Sequence, residues 1–248
     1  MNFYLISPYF ELLTLMEDAG VTGNLCTYES WESDYFTRIA RDIDIHKKIK
    51  YMVAIRPHTL SPEYLVKITK SIKEISKEDR LQINLVAGHI TPEHGHEVDR
   101  TLGTITNKST REERSNYLIE YINLLNQLPQ EEKPDYYVSV TNDFTFKAAS
   151  RHNDKMIIPY ELINEYNLEH IKVMIYLTPI IRKTQKELDN LNKYDLQKIE
   201  GYRFTYESMT NLVNKLKDQG IKEMMFGFRN IEDIKANIDF IKKYNYKN

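Results

Sequence analysis

The 248 residues include a single cysteine, Cys26. That excludes an intrachain disulfide and a cysteine-based metal cluster. No apolar run approaches the ~20 residues a membrane-spanning helix needs. The opening MNFYLISPYF lacks the basic region and cleavage site of a signal peptide, so the expectation is a cytoplasmic protein with no membrane partner. Neither sign of charge is in excess. The net charge of −2 offers no broad attraction for nucleic acid or anionic membrane. There is no GxGxxG or P-loop motif and no HExxH helix. No low-complexity tract or linker divides the chain, so residues 1–248 are expected to form one domain.

What is present is a recurring unit, clearest over residues 48–88. Tyr51–Ile55 is a short apolar run ending at Arg56-Pro57. Ser61-Pro62 opens a helix, with serine as N-cap and proline at the first helical position. Leu65, Ile68, Ile72 and Ile75 follow at helical spacing. Gln82–Ala87 is a second apolar run, ending at Gly88. Two strands joined by such a helix lie parallel with a right-handed crossover.

The unit repeats. Strands are expected at Phe3–Ser7, Gly23–Thr27, Lys48–Arg56, Gln82–Ala87, Tyr136–Thr141, Lys155–Ile158, Ile171–Thr178 and Lys222–Phe228. Helices are expected between them, including Asp34–Ile45, Arg111–Leu128 and Tyr206–Asp218, with a last one capped by Asn230. Residues 182–202 read as polar and partly helical, and residues 89–109 as a long polar loop. Eight such units point to an α/β fold, a minimal eight-stranded parallel (β/α) TIM-type barrel. An open doubly wound sheet is the alternative.

In such a barrel the site lies at the carboxyl ends of the strands. Those ends are Ser7-Pro8-Tyr9, Thr27-Tyr28, Arg56-Pro57-His58, Gly88-His89, Thr141-Asn142, Pro159-Tyr160, Thr178 and Phe228-Arg229. The set is polar, aromatic and modestly basic. Its near lack of carboxylates argues against a glycosidase-type acid pair. His89, His94 and His96, beside Glu93 and Glu97, form either a metal site or a solvated His-rich loop. Without HxxxH or HExxH spacing the second reading is favoured, and no metal ligand is assigned. Arg56, ending an apolar strand, needs an anionic or carbonyl partner: a ligand, or a carboxylate such as Glu29 or Glu32.

The stretches YMVAIRPHTLSPEYL, SKEDRLQINLVAGH and STREERSNYLIEY together resemble the luciferase-like flavin monooxygenases, in particular the alkanesulfonate monooxygenases. The matching elements are Arg56-Pro57, Ser61-Pro62, Ser76 to Arg80, Asn84 to Gly88, Glu113-Arg114 and Glu120-Tyr121. The resemblance covers about residues 16–121 and is faint elsewhere. It implies a barrel that binds reduced FMN, supplied by a separate flavin reductase, and acts with oxygen on a small-molecule substrate. A related branch uses a deazaflavin. Homodimers are usual in the family.

On this resemblance Thr27, Arg56, Asn84, Gly88, Arg114, Ser139 and Thr141 would hold the flavin, and His58 and His89 would be the catalytic proton donors. Several family features are replaced. The Gly-Gly-Ser-Ser near the flavin phosphate reads Val138-Ser139-Val140-Thr141. The strand-seven Arg-x-His reads Tyr176-Leu177-Thr178, and the lid insertion over 182–202 is short. These replacements leave two other readings open: a shortened, non-catalytic flavin- or ligand-binding relative, and a metal-dependent barrel hydrolase using the His-rich loop.

Overall fold

The computed structural model describes residues 1–27, 34–57, 59–87, 110–152, 155–191 and 202–247. Eight parallel strands close into a barrel: β1 (Asn2–Ile6), β2 (Gly23–Thr27), β3 (Lys50–Ile55), β4 (Leu81–Leu85), β5 (Asp135–Ser139), β6 (Lys155–Pro159), β7 (Lys172–Leu177) and, completing the circle against β1, β10 (Glu223–Phe226). All eight expected strands are there, and closure rules out the open doubly wound sheet. The helices among the described residues are α1 (Leu13–Asp18), α2 (Tyr35–Asp42), α3 (Pro62–Ser76), α4 (Arg111–Gln127), α5 (Asp143–His152), α6 (Gln185–Asp189), α7 (Tyr206–Asp218) and α8 (Ile231–Lys247). No helix among the described residues is long and apolar enough to cross a membrane.

The sequence explains the elements locally. Ser61 accepts the Tyr64 N–H and Pro62 starts α3, which ends on Lys77 in the left-handed region at φ 59°. Thr110 and Glu113 cap α4 reciprocally. Asp34 accepts the Thr37 N–H, so the helix expected from Asp34 begins one residue later. Arg80, 6% exposed, donates to the carbonyls of His46 and Ile43 and ties the start of β4 to the end of the second unit.

Strand alternation divides the core in two. Phe3, Leu5, Val53, Ile55, Ile83 and Leu85 face the helices. Tyr4, Leu25, Met52, Tyr137, Ile157, Met174 and Met225 fill the barrel interior. Tyr4 fits because its register partner on β2 is Gly23, whose Cβ would stand 2.5 Å from the tyrosine ring.

Two features differ from expectation. The sixth unit has only a 3-10 turn, Tyr160–Leu162, where a helix would stand. The stretch 182–202, expected as polar and partly helical, does contain α6, but it is flanked by an unexpected separate parallel pair, β8 (Pro179–Arg182) with β9 (Tyr202–Thr205). Each of these strands is four residues long, too short for periodicity to reveal.

Candidate functional site

The two ends of the barrel interior have opposite chemistry. At the amino-terminal end, Lys155 and Gln82 donate to Asp135, and the Tyr137 hydroxyl donates to Glu223 Oε2 at 2.7 Å. Lys172 lies 3.0 Å from the other Glu223 oxygen. This is a charged floor whose members pair with one another. Burial, then the hydrogen bond to Glu223, pushes the Tyr137 phenol well above its usual value, so it stays protonated. A groove of about 1000 Å³ opens outside this floor. Two of its lysines are paired, Lys70 with Glu132 and Lys73 with Asp79, each at 2.7 Å.

Above the apolar middle layer, the carboxyl end is lined by small and neutral polar groups. The Ser139 hydroxyl donates to Asn84 Oδ1 at 2.9 Å, joining β5 to β4. Asn84, 5% exposed, makes no other side-chain hydrogen bond among the described residues, so its amide N–H groups are available to a ligand. Ala54 is the register partner of Asn84, and Thr27 that of Ala54. Across the barrel, the hydroxyls of Tyr176 and Thr178 lie 2.9 Å apart. They sit on Gly227, whose Cβ would come within 2.6 Å of Thr178 Oγ1 and 2.9 Å of the Tyr176 hydroxyl. Glycine is required there for this close approach.

The expected site residues are thus partly brought together. Asn84 and Ser139 touch, and Thr27 ends a strand in the same row. Arg56 is the first residue beyond β3. It is half-buried, and its carbonyl accepts from the Thr59 N–H and hydroxyl. Arg114 lies in the first turns of α4, half-buried. Thr141 is exposed, and its backbone N–H donates to Thr145 Oγ1 at 2.9 Å. His58, Gly88 and His89 lie outside the described residues, as do Glu29, Glu32 and the loop with His94 and His96. Among the described residues no group of three His, Cys, Asp or Glu could hold a metal ion. Cys26 is fully buried, and burial pushes its thiol far up, so it offers no thiolate.

Sequence reading missed Tyr176, Thr178 and Gly227 as one cluster, because they meet only through the pairing of β7 with β10. It also missed a clamp behind that wall. Asp233, fully buried in α8, takes Arg229 Nε at 2.7 Å and Arg182 Nη2 at 3.2 Å. It fastens the β8–β9 insertion to the helix that follows the last barrel strand.

No protein-family model matches the chain. Its fold is nevertheless that of several solved enzymes. An EDTA monooxygenase from Chelativorans sp. BNC1 superposes with a TM-score of 0.74 at 9% identity, over 100% of this chain and 94% of that one. A riboflavin lyase, solved with modified FMN and riboflavin, gives 0.72 at 10% identity, over 100% and 91%. An F420-dependent secondary alcohol dehydrogenase, solved with an F420–acetone adduct, gives 0.69 at 10% identity, over 98% and 97%.

Proposed function

We propose that the protein is a flavin-dependent oxidoreductase, monooxygenase-like, that binds reduced FMN at the carboxyl ends of the barrel strands and acts on a small organic substrate. The observation that carries this reading is the Asn84–Ser139 pair: a buried amide with uncommitted donors, set in a neutral mouth, on a fold shared along nearly the whole length of enzymes solved with flavin and with F420. Planar heterocyclic carbonyls are suited to such donors. The polar set at this end fits the ring system.

In the proposed mechanism Asn84 donates to a ring carbonyl and Ser139 holds the Asn84 amide in its plane. Thr27, Arg56, Gly88, Arg114 and Thr141 would hold the rest of the cofactor. The cofactor, when bound, supplies the electrons for the reaction, or a hydride if it is a deazaflavin. His58 or His89 moves the proton at the substrate. The apolar layer of Leu25, Met52, Ile157, Met174 and Met225 seals the barrel beneath the site and keeps water from entering from the floor. A separate reductase as the source of reduced flavin, and a homodimeric state, belong to the same proposal.

Fluorescence titration with FMN, oxidised and reduced, tests it. Binding at micromolar affinity or better is expected, and no binding of any flavin or deazaflavin overturns it. A second reading, a ligand-binding relative without catalysis, is favoured by the Tyr176–Thr178 pair, two hydroxyls bonded to each other where the resemblance places Arg-x-His. Flavin binding without any rise in NADH consumption above that of the flavin reductase, flavin and oxygen alone selects that reading.

A further inference from the structure

Helix amino termini at the strand carboxyl ends are the ordinary place for a phosphate in an α/β barrel, because their unpaired N–H groups and dipole favour an anion. Among the described residues they are capped. Six described helices of eight or more residues begin at that end, and each has a side-chain cap. Asp34, Ser61, Thr110 and Thr205 accept N–H groups of α2, α3, α4 and α7. Asn142 accepts the Thr145 N–H in α5, and Asn230 the Asp233 N–H in α8. Each also carries a carboxylate at its cap or in its first turn. In α2 this is the cap Asp34 itself. In the others it is Glu63, Glu112 with Glu113, Asp143, Glu207, and Glu232 with Asp233. A carboxylate there already takes the favourable end of the dipole and repels a dianion.

The corner after β5 is closed most completely. The backbone N–H groups of Thr141 and Asn142 both donate to Thr145 Oγ1, at 2.9 and 3.1 Å. Thr145 is 1% exposed. The two residues that stand where the resemblance places a glycine pair, Val138 and Ser139, both carry side chains, and Val138 is fully buried. Tyr166 completes the closure: its ring stacks on Phe146 at 4.0 Å and its hydroxyl donates to Asp143 Oδ1. Neither Arg56 nor Arg114 is without a partner in the protein.

We infer that the site recognises the flavin ring and not its terminal phosphate, so that riboflavin binds as tightly as FMN. The inference rests on the flavin reading above and narrows the ligand to the phosphate-free part of the molecule. The experiment is a parallel fluorescence titration of the full chain with FMN and with riboflavin, each oxidised and chemically reduced, repeated in increasing inorganic phosphate. Dissociation constants within about threefold of each other, unchanged by phosphate, are expected. FMN bound tenfold or more tightly than riboflavin, or displaced by phosphate, overturns the inference and leaves the flavin reading standing. Binding of neither flavin overturns both.

Discussion

Ser139 and Asn84 are joined by one hydrogen bond of 2.9 Å between neighbouring strands, at the end of the barrel where the ligand is proposed to sit. The bond takes the one acceptor of a buried amide and so fixes which way its donors point. Ser139→Ala removes it and leaves Asn84 Oδ1 unpaired. A loss of about 1–2 kcal/mol in unfolding free energy is expected from urea titration. If the amide orientation matters, flavin affinity falls several-fold in the same variant. A variant that loses stability but keeps full affinity would remove Asn84 from the binding role.

The barrel floor holds a stronger interaction. Tyr137 donates to the carboxylate of Glu223 at 2.7 Å, with Glu223 only 3% exposed. Tyr137→Phe keeps the ring and its packing but deletes a hydrogen bond to a charged group. The expected cost is about 1.5–3 kcal/mol, read as a lower urea midpoint with an unchanged slope. Because the floor is separated from the mouth by the apolar layer, flavin affinity should stay within about twofold.

Asp135 in the same floor makes acid stability measurable. Burial raises its carboxyl, but hydrogen bonds from Lys155 and Gln82, with the charges of Lys155 and Lys172, outweigh burial and hold it below the usual carboxylate range. A depressed folded value means that the ionised form contributes stability above the unfolded value of about 3.9 and that this contribution is lost as pH falls through the folded value. Asp135→Asn should therefore be less stable than the natural protein at pH 6, and the gap should close as pH falls below about 4. A gap independent of pH would show that the carboxylate charge is not what stabilises the floor.

How far the molecule could be read from its sequence follows from the range of each interaction. The eight barrel strands were legible because each is an apolar run between turn residues, and Ser61-Pro62 and Asn230 mark helix starts by local chemistry alone. Asn84 and Ser139 could be named singly, yet their bond depends on β4 lying beside β5. Gly227 lies about fifty residues from Tyr176 and Thr178, and nothing local in a tyrosine, a threonine and a glycine announces that they meet. The β8–β9 pair was illegible because each strand is only four residues long and its partner lies about twenty residues away. Arg80, part of a stretch that resembles a family motif, holds backbone carbonyls of the preceding unit, a partner set no local pattern announces.

The Arg182–Asp233–Arg229 clamp is the second place where a non-local contact decides the structure. Asp233 is fully buried and serves two guanidinium groups. Asp233→Asn leaves both with a neutral partner, and a loss of about 3 kcal/mol is expected. Since Arg182 belongs to β8, the insertion should loosen first. Limited proteolysis should then cut between β7 and α7 before the barrel is attacked. Simultaneous loss of all elements would instead make the clamp part of the global core.

Gly227 offers the sharpest separation of fold from site. Its φ lies outside the left-handed region, so alanine is compatible with the backbone, and the atoms nearest the added methyl belong to two side chains: Thr178 Oγ1, the Tyr176 hydroxyl and, at 3.1 Å, Tyr176 Cε2. Those hydroxyls must part or swing toward the mouth, breaking their 2.9 Å contact. The expected stability loss is small, about 1–2 kcal/mol, because side-chain ends move more easily than strands. The expected change in the mouth is large, because the displaced Tyr176 ring enters the space above the apolar layer. Flavin affinity in Gly227→Ala should fall about tenfold or more, while circular dichroism and the urea slope stay those of the natural protein. Unchanged affinity would place the ligand on the β3–β5 side of the barrel, away from Tyr176.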